Sequence, residues 1–232
     1  MGTPVGPAVK LIRALRRAPG TAIEDFRAAV AASAQLAPTI PGVWRFVRSL
    51  TTPSGYAHRD PVYDLVDELW FDDEPAARAA LASPELAQLL DAIGADPASL
   101  ATFLAHDHLM KDGEVPAGAL KNYEFVTRRP DLTVEQFRSY WLEHHGPLAC
   151  GIATMLRYVQ SHAIDSEYAD GAEPAWEGTA ITWFADYEAM RDSGADPVYK
   201  ATRADEENFL GAPLRLPFLI TTEQELVAPV SR

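Results

Sequence analysis

Hydrophobic and polar residues alternate along short segments in the second half of the chain, and this period of two indicates β-strands. The segments that predict strands read LKNYEFVTR, LRYVQSHAI, WEGTAITWFA and PFLITTEQELV. Between the first two, a helical period runs from Thr133 to His145, and Thr133 with Gln136 gives a capping-box signal. A second helix, broken in the middle, is predicted within residues 187–209. The order is therefore strand, helix, strand, strand, helix, strand.

The first half of the chain repeats this order. Its strands are predicted at VKLIRALRR, VWRFVRSLT, DLVDELWF and ATFLAHDHLM. One helix should follow Thr21, with Glu24 at the capping-box position, and another should run from Pro75 to Ile93. Each half thus predicts a ferredoxin-like βαββαβ arrangement, an antiparallel four-stranded sheet with both helices on one face.

The two halves also match residue by residue, which indicates a tandem duplication. Three aromatic positions recur in order, at separations of 111, 112 and 113 residues: Phe26 with Phe137, Phe46 with Tyr158, and Trp70 with Trp183. The linker should lie near KDGEVPAGA, which is rich in Gly, Pro and Ala and lacks periodicity. We expect two domains, residues 1–114 and 115–232, of which the second carries the site.

Each predicted sheet has a second face that must be covered, since it would otherwise expose large aromatic side chains to water. The aromatic residues concerned are Trp44, Phe46, Tyr158 and Trp183. Two fused copies can cover these faces by packing them together. The expected fold is α+β, with two fused ferredoxin-like domains that form one barrel with a closed interior.

The composition narrows the classes of partner. The chain carries 33 acidic and 20 basic side chains, a net charge of −13, which opposes binding to nucleic acid or to an anionic membrane surface. Cys150 is the single cysteine, so an intrachain disulfide and a cysteine-built metal cluster are excluded. No apolar run approaches ~18 residues, and the start, MGTPVGPAVK, lacks the apolar core of a signal peptide. A cytoplasmic protein is expected.

The segment RRPDLTVEQFRSYWLEHHGPLA, followed by LRYVQSHAI, resembles the EthD-domain family of the dimeric α/β-barrel superfamily. The shared pattern is Arg-Pro before the first helix, a Trp within it, His-Gly-Pro at its end, and an Arg-Tyr strand soon after. The resemblance covers the second copy and implies an intramolecular dimeric α/β barrel, in which the fusion supplies both halves of what is usually a homodimer. It also implies several reactions, from polyketide cyclisation to cofactor-free oxygenation and haem chemistry, so the fold alone does not select one.

The two copies differ at the end of the first helix, where the second has HHG at residues 144–146 and the first has SAQ at 33–35. Helical spacing places His144 on a stripe with Tyr140 and Trp141 that faces the sheet, and His145 lies about 100° further round. The family pattern has its histidine directly before Gly-Pro, which implies His145 as the functional one. The alternatives are that His145 interacts with the helix dipole beside a C-cap at Gly146, and that His144 packs in the core.

On LRYVQSHAI a period of two groups Tyr158, Gln160 and His162 on one face, which we expect to meet a ligand in the barrel interior. His162 is a candidate catalytic residue or, alternatively, a satisfied polar strand residue. The acidic run DEEN at residues 205–208 is expected to form a solvated helix face. The candidate catalytic residues are His145, His162, Tyr158 and His144, and the candidate substrate-binding residues are Tyr123, Tyr140, Trp141, Gln160 and Trp183.

The leading functional hypothesis is a cofactor-independent lyase or cyclase, of dehydratase type, acting on a hydrophobic, oxygenated aromatic or polyketide-like molecule. His145 would remove a proton, and His162 or Tyr158 would stabilise the enolate or protonate the leaving hydroxyl. No phosphate loop, dinucleotide fingerprint or metal motif occurs, so neither a cofactor nor a metal is expected. The alternatives are a cofactor-free monooxygenase, a haem-binding protein and a non-catalytic binder of a hydrophobic metabolite. The sequence is compatible with a homodimer of tandem units.

Overall fold

The computed structural model describes residues 8–57, 59–211 and 217–229. The strands are β1 Val9–Leu15, β2 Arg45–Thr51, β3 Leu65–Phe71, β4 Ala101–Lys111, β5 Leu120–Val126, β6 Met155–Ala163, β7 Gly178–Phe184 and β8 Phe218–Val227. The helices are α1 Ile23–Ser33, α2 Glu74–Leu81, α3 Pro84–Ile93, α4 Val134–Tyr140, α5 Gly146–Cys150, α6 Tyr187–Ser193 and α7 Pro197–Asp205. None of these helices is long and apolar enough to cross a membrane.

The strands are hydrogen-bonded in the order β1-β3-β2-β8-β5-β7-β6-β4, and this order closes into a barrel. Within the first half, β1 pairs with β3 and β4, and β3 pairs with β2, all antiparallel. Within the second half, β5 pairs with β7 and β8, and β7 pairs with β6, again antiparallel. The predicted α+β class and the barrel are confirmed. The origin of the barrel as a fusion of two ferredoxin-like domains stays a prediction.

Backbone packing divides the chain into two compact units. Unit 1 comprises Met1–Thr51, Asp60–His106 and Glu223–Arg232, and unit 2 comprises Thr52–Arg59 and Asp107–Thr222. Strands β4 and β8 therefore each contribute residues to both units. The predicted domain boundary between residues 114 and 115 stays a prediction.

In unit 1 the helices cover an apolar cluster on the sheet, formed by Leu15, Phe26, Val30, Leu65 and Ile93. Two details of its helices differ from the prediction. Helix α1 begins after Ala22, which makes no side-chain cap, so the expected capping box is absent. The helix expected from residue 75 to residue 93 is two helices, because the Ser83 hydroxyl caps a new helix at the Leu86 N–H and Pro84 occupies its first turn.

In unit 2 the first helix starts as predicted and ends later than predicted. The capping box of Thr133 and Gln136 is formed in both directions and starts α4. The helix then continues through a π turn, Trp141–His145, into α5. Gly146 has helical backbone angles, so the expected C-cap there is wrong. A Cβ at Gly146 would lie 2.4 Å from Met110 Cε and 2.8 Å from Gln160 Nε2, so the close approach of these side chains requires glycine.

The second helix of unit 2 is broken, as predicted. The Asp186 carboxylate caps α6 at the Ala189 N–H, and the Asp196 carboxylate caps α7 at the Val198 N–H. Pro197 stands in the first turn of α7, where its missing N–H costs no hydrogen bond. These two short helices and α5 cover part of the sheet that β5, β6 and β7 form.

Candidate active site

The π turn decides which histidine of the pair is buried. In a regular α-helix, residue i+4 lies about 40° past residue i around the helix axis. A π turn holds more residues per turn, so residue i+4 does not rotate past residue i. Trp141 and His145 therefore stay on the same face, with exposed fractions of 1% and 7%. His144 is exposed, and its ring rests against Tyr140 with 5.1 Å between centroids. The expectation that His144 faces the sheet is wrong, because it assumed unbroken α-helical spacing.

His145 forms a dyad with a carboxylate from the end of α7. Its Nδ1 donates to Oδ2 of Asp205 at 2.9 Å. The other oxygen of Asp205 accepts from the Tyr140 hydroxyl at 2.7 Å and from Asn208 Nδ2 at 3.0 Å. The Phe209 ring packs against the imidazole, with centroids 4.7 Å apart. Since an ionised carboxylate only accepts hydrogen bonds, Nδ1 carries the proton and Nε2 has its lone pair free.

The protonation states follow from burial and these hydrogen bonds. Burial lowers the pKa of His145 below its usual value and outweighs the opposing effect of Asp205. The pKa of Asp205 is also low, because hydrogen bonds from Tyr140, His145 and Asn208 together outweigh its burial. At neutral pH the dyad is therefore a neutral imidazole oriented by an anion. This is the form of histidine that accepts a proton.

His145 lines a cavity of about 570 Å³ that lies within unit 2. Ligand sites commonly measure about 300–1,000 Å³. Apolar walls come from α5, the sheet and α6, among them Ile152, Phe184 and Met190. In the described part of the chain, no residue forms a hydrogen bond with Nε2 of His145. The free lone pair therefore belongs to a residue that lines a mainly apolar pocket.

Tyr158 lines the same cavity from strand β6. Its hydroxyl accepts hydrogen bonds from Trp141 Nε1 at 3.2 Å and from Gln160 Nε2 at 3.0 Å. Burial raises the pKa of this phenol, although both donors oppose the shift, so the hydroxyl keeps its proton. Both acceptor positions of the oxygen are occupied, and its proton has no acceptor among the residues that the structure describes. The Tyr158 hydroxyl therefore keeps a proton that none of the described residues accepts.

Trp141, Gln160 and His162 form a closed network beside the cavity and are absent from its lining. Gln160 Nε2 also donates to the Trp141 carbonyl at 2.8 Å, and Gln160 Oε1 accepts from His162 Nε2 at 2.9 Å. The His162 ring stacks on Trp141 with 4.3 Å between centroids, and its other neighbour is the His108 ring at 4.6 Å. Burial holds the pKa of His162 well below its usual value.

The predicted orientation of β6 is wrong, because Tyr158 packs against Ala149 and Ile152 of the α5 region and Gln160 bonds to the helix at Trp141. These side chains face the helices and not the opposite side of the sheet. Tyr123 and Trp183 do lie on that opposite face, since their neighbours Asn122, Glu124, Thr182 and Phe184 line the cavity. Of the candidate site residues, His145 and Tyr158 line the cavity. Tyr140 contributes indirectly, through its hydrogen bond to Asp205.

The acidic run at residues 205–208 is not the solvated face that the sequence predicted. Asp205 binds His145, and Glu206 is only 3% exposed and lines the cavity. The cavity also contains Glu124 and Arg203, neither of which the sequence singled out. The missed signal lay in the spacing of α7, which turns Thr202 and Glu206, four residues apart, to the same buried side.

The EthD domain model matches residues 129–213. This segment is similar to an EthD domain. It contains the π turn, strands β6 and β7, and His145 with its partner Asp205. The resemblance drawn from the His-Gly-Pro and Arg-Tyr motifs is therefore confirmed. A comparison with curated proteins finds no match.

Solved structures are similar in fold to nearly the whole chain, beyond the segment that matches the EthD domain model. An anthrone oxidase-like protein has a TM-score of 0.65 at 11% identity, covering 97% of this chain and 95% of its own. A protein from Lactobacillus acidophilus NCFM, provisionally named a monooxygenase, has a TM-score of 0.55 at 14% identity, covering 95% of each chain. A variant chlorite dismutase from Candidatus Nitrospira defluvii has a TM-score of 0.56 at 11% identity, covering 94% and 92%. At these identities the likeness shows the fold alone.

Proposed function

We propose that the EthD-domain half of this protein is an enzyme that removes a proton from a hydrophobic, oxygenated small molecule. His145 is the general base, and the observation that carries the proposal is its dyad with Asp205 at a mainly apolar cavity. The imidazole is neutral at neutral pH and has Nε2 free to accept a proton. An oriented base of this kind typically contributes about 10²–10⁴-fold to the rate of proton transfer.

Tyr158 supplies the second element of the site. When a proton leaves a carbon beside a carbonyl group, negative charge develops on the carbonyl oxygen. The hydroxyl of Tyr158, a residue of the cavity lining, keeps its proton and would stabilise that oxygen by a hydrogen bond. The apolar walls suit an aromatic or polyketide-like carbon skeleton.

The preferred reaction of the resulting enolate is elimination or ring closure, which makes the protein a cofactor-independent lyase or cyclase. A second candidate is a cofactor-free monooxygenase, in which the enolate reacts with dioxygen. The names of two structural neighbours, a monooxygenase by provisional name and an anthrone oxidase-like protein, favour this candidate. Both reactions begin with the same proton transfer to His145.

Two probes test the shared step and separate the two reactions. Anthrone has an acidic CH₂ group, and its exchange with D₂O under nitrogen measures proton removal alone. In air, the same probe measures oxygenation, since anthrone and O₂ give anthraquinone and water. Dehydration of 3-hydroxy-1,3-diphenylpropan-1-one to chalcone measures elimination by its absorbance.

The proposal expects catalysed exchange that His145→Gln abolishes and that His144→Gln, an exposed matched control, retains. Chalcone formation without oxygen uptake supports the lyase, and oxygen uptake with anthraquinone supports the monooxygenase. Exchange that proceeds equally in His145→Gln and in the unaltered protein would refute the role of the base. A Soret band in the purified protein, or ligand binding without turnover, would favour the haem-protein or binding-protein alternative.

A further inference from the structure

The cavity contains a second group of charged side chains, formed by Glu124 on β5, Arg203 on α7 and Glu206 directly after α7. One nitrogen of Arg203, NH1, lies 2.6 Å from Glu124 Oε1 and 2.7 Å from Glu206 Oε1. The side chain of Glu206 is 5% exposed, whereas that of Glu124 is 22% exposed. The base and phenol described above leave this group unexplained.

The charges of this group do not balance when all three side chains are ionised. Two carboxylates share one guanidinium, so the group would hold a net negative charge within a mainly buried wall. Carboxylates that share a site in this way disfavour double ionisation, and one of them holds a proton. Arg203 donates its hydrogen bond to Glu124, which favours the ionised form of that residue. The proton therefore belongs on the more buried Glu206.

The titration of Glu206 agrees with this assignment. Burial raises its pKa to about 8, Glu124 adds to the increase, and Arg203 opposes it. His145, in contrast, has a pKa below its usual value. Around neutral pH the same cavity thus holds an unprotonated base and a protonated acid. Environments that separate two pKa values in this direction are typical of acid–base pairs in active sites.

The His145–Asp205 dyad and the group of Glu206 are linked by neighbouring residues. Asp205, which binds His145, directly precedes Glu206. Arg203, which contacts Glu206, and Glu124, which contacts Arg203, both act electrostatically on His145. One segment at the end of α7 therefore positions both the partner of the base and the acid.

We propose that Glu206 is the general acid of this site and that the substrate is a β-hydroxy carbonyl compound whose hydroxyl leaves as water. This inference rests on the proposed function of His145 and extends it to the leaving group. Its substrate class is the one in which a base and an acid must act on neighbouring carbons.

The reaction balances as follows. His145 Nε2 takes the proton from the carbon beside the carbonyl, and the electron pair of that C–H bond forms the new C=C bond. The C–O bond to the hydroxyl breaks, and the oxygen keeps its electron pair and takes the proton of Glu206. Water leaves, and the enzyme is left with protonated His145 and ionised Glu206. Transfer of one proton from His145 to Glu206 restores the starting state.

Infrared spectroscopy tests the protonated acid without any substrate. At neutral pH the protein should show a carboxylic acid C=O band that disappears as the pH rises through about 8. Glu206→Gln should remove the band, and Glu207→Gln, which changes the exposed neighbour, should keep it. Absence of the band from the unaltered protein, or its persistence in Glu206→Gln, would overturn the assignment of the proton.

Kinetics test the role of that proton with the two probes described above. Glu206→Gln should lower dehydration of the β-hydroxy ketone about 10²-fold or more beyond any effect on anthrone exchange, since exchange involves no leaving group. It should also abolish the decrease of the dehydration rate above pH about 8, whereas Glu207→Gln should keep it. Equal losses of both reactions would overturn the proposal for Glu206 and leave His145 as the base. Full activity of His145→Gln would refute the proposed function itself.

Discussion

The first strand of each half carries a buried lysine over a tryptophan. Lys10 Nζ lies 5.1 Å from the centroid of the Trp70 ring, and Lys121 Nζ lies 4.9 Å from that of Trp183. Both pairs occupy matching positions of the two halves, as the predicted duplication would require. Beneath the helices, the matching positions carry different chemistry. They are Ser33 with His145, Arg48 with Gln160, Asp67 with Ala180 and Arg13 with Glu124.

The first half fills these positions with an ion pair. Arg48 binds both oxygens of Asp67, at 2.7 and 2.9 Å, and donates to Ser33 Oγ at 3.0 Å. Burial lowers the pKa of the neighbouring Arg13 to about 10, with Asp67 opposing and Arg48 adding to the shift. Its guanidinium has no hydrogen-bond partner among the described residues. The half that lacks the His-His pair therefore carries a buried network of charges.

The second half has an alanine where the first has a carboxylate, and Ala180 lines the cavity. The strand registers support this match, since Arg48 is opposite Asp67 and Gln160 is opposite Ala180. Matching residues of the two halves are 111 positions apart before the π turn and 112 apart after it, so the turn contains one additional residue. With this residue counted, His145 matches Ser33. The comparison teaches that the two halves share these sheet contacts, whereas a small side chain and one additional residue distinguish the half that contains the candidate site.

The largest expected effect comes from replacing His145, a histidine that the first half lacks at the matching position. His145→Gln should lower the rate of anthrone exchange about 10²–10⁴-fold, because the proposed general base is lost. Ser33→Ala, the matching change in the first half, should leave the rate within about twofold. Losing the hydroxyl that accepts from Arg48 should lower stability by about 1–3 kcal/mol, but Ser33 does not line the cavity. Comparable losses in the two variants would contradict a site confined to the second half.

The next effect concerns the buried ion pair. Arg48→Met should lower the free energy of unfolding by about 3–5 kcal/mol, because Asp67 is left buried without its bidentate partner. Gln160→Met should cost about 1–3 kcal/mol, since the groups that lose a hydrogen bond there are neutral. Urea denaturation of the two variants measures both. A larger loss for Gln160→Met would contradict this order, because the polar network of the second half would then contribute more to the free energy of unfolding than the ion pair of the first half.

Gly146 tests the extra residue of the π turn, since the matching residue in the first half is Ala34. Gly146→Ala should destabilise the protein by about 1–3 kcal/mol, because the added Cβ displaces Met110 and Gln160. Thermal unfolding measures the change, with Gly20→Ala unsuitable as a control because of its positive φ. Gly194→Ala is a better control, as a Cβ there meets its nearest atom at 3.3 Å and its φ is negative. Equal effects of the two substitutions would contradict the close approach at Gly146.

The smallest expected effect belongs to Arg13. Arg13→Met should leave the free energy of unfolding unchanged or raise it by up to about 1 kcal/mol, since it removes a buried charge without hydrogen bonds and keeps the Arg48–Asp67 pair. Urea denaturation against Arg48→Met measures the contrast. A loss as large as that of Arg48→Met would mean that Arg13 stabilises Asp67 directly.

Most of the fold could be predicted from the sequence, because its signals are local. Alternation located the strands, and the Thr133–Gln136 box and the break before Pro197 are contacts within one turn. The end of the first helix could not be predicted, since Gly146 followed by proline is typical of a C-cap. Its actual reason is the approach of Met110 and Gln160, which are distant in sequence.

The candidate site could be predicted in part. The missing histidines of the first copy indicated His145, and the Arg-Tyr motif indicated Tyr158. Period two groups the residues of β6 by face, but it does not tell which face the helices cover, so the orientation was wrong. Asp205 and Glu206 resembled a solvated acidic run, because His145, the partner of Asp205, lies 60 residues away, and Glu124, which shares Arg203 with Glu206, is on the distant strand β5.

The central claim is that His145 is a neutral base with its free nitrogen at the cavity, and ¹⁵N NMR of the labelled protein tests it most directly. At neutral pH the account predicts a proton on Nδ1, an unprotonated Nε2 and a pKa lowered by burial below the usual value of histidine. Asp205→Asn should disturb this tautomer, and binding of anthrone should shift the Nε2 signal. A proton on Nε2, or a charged imidazole at neutral pH, would contradict the account.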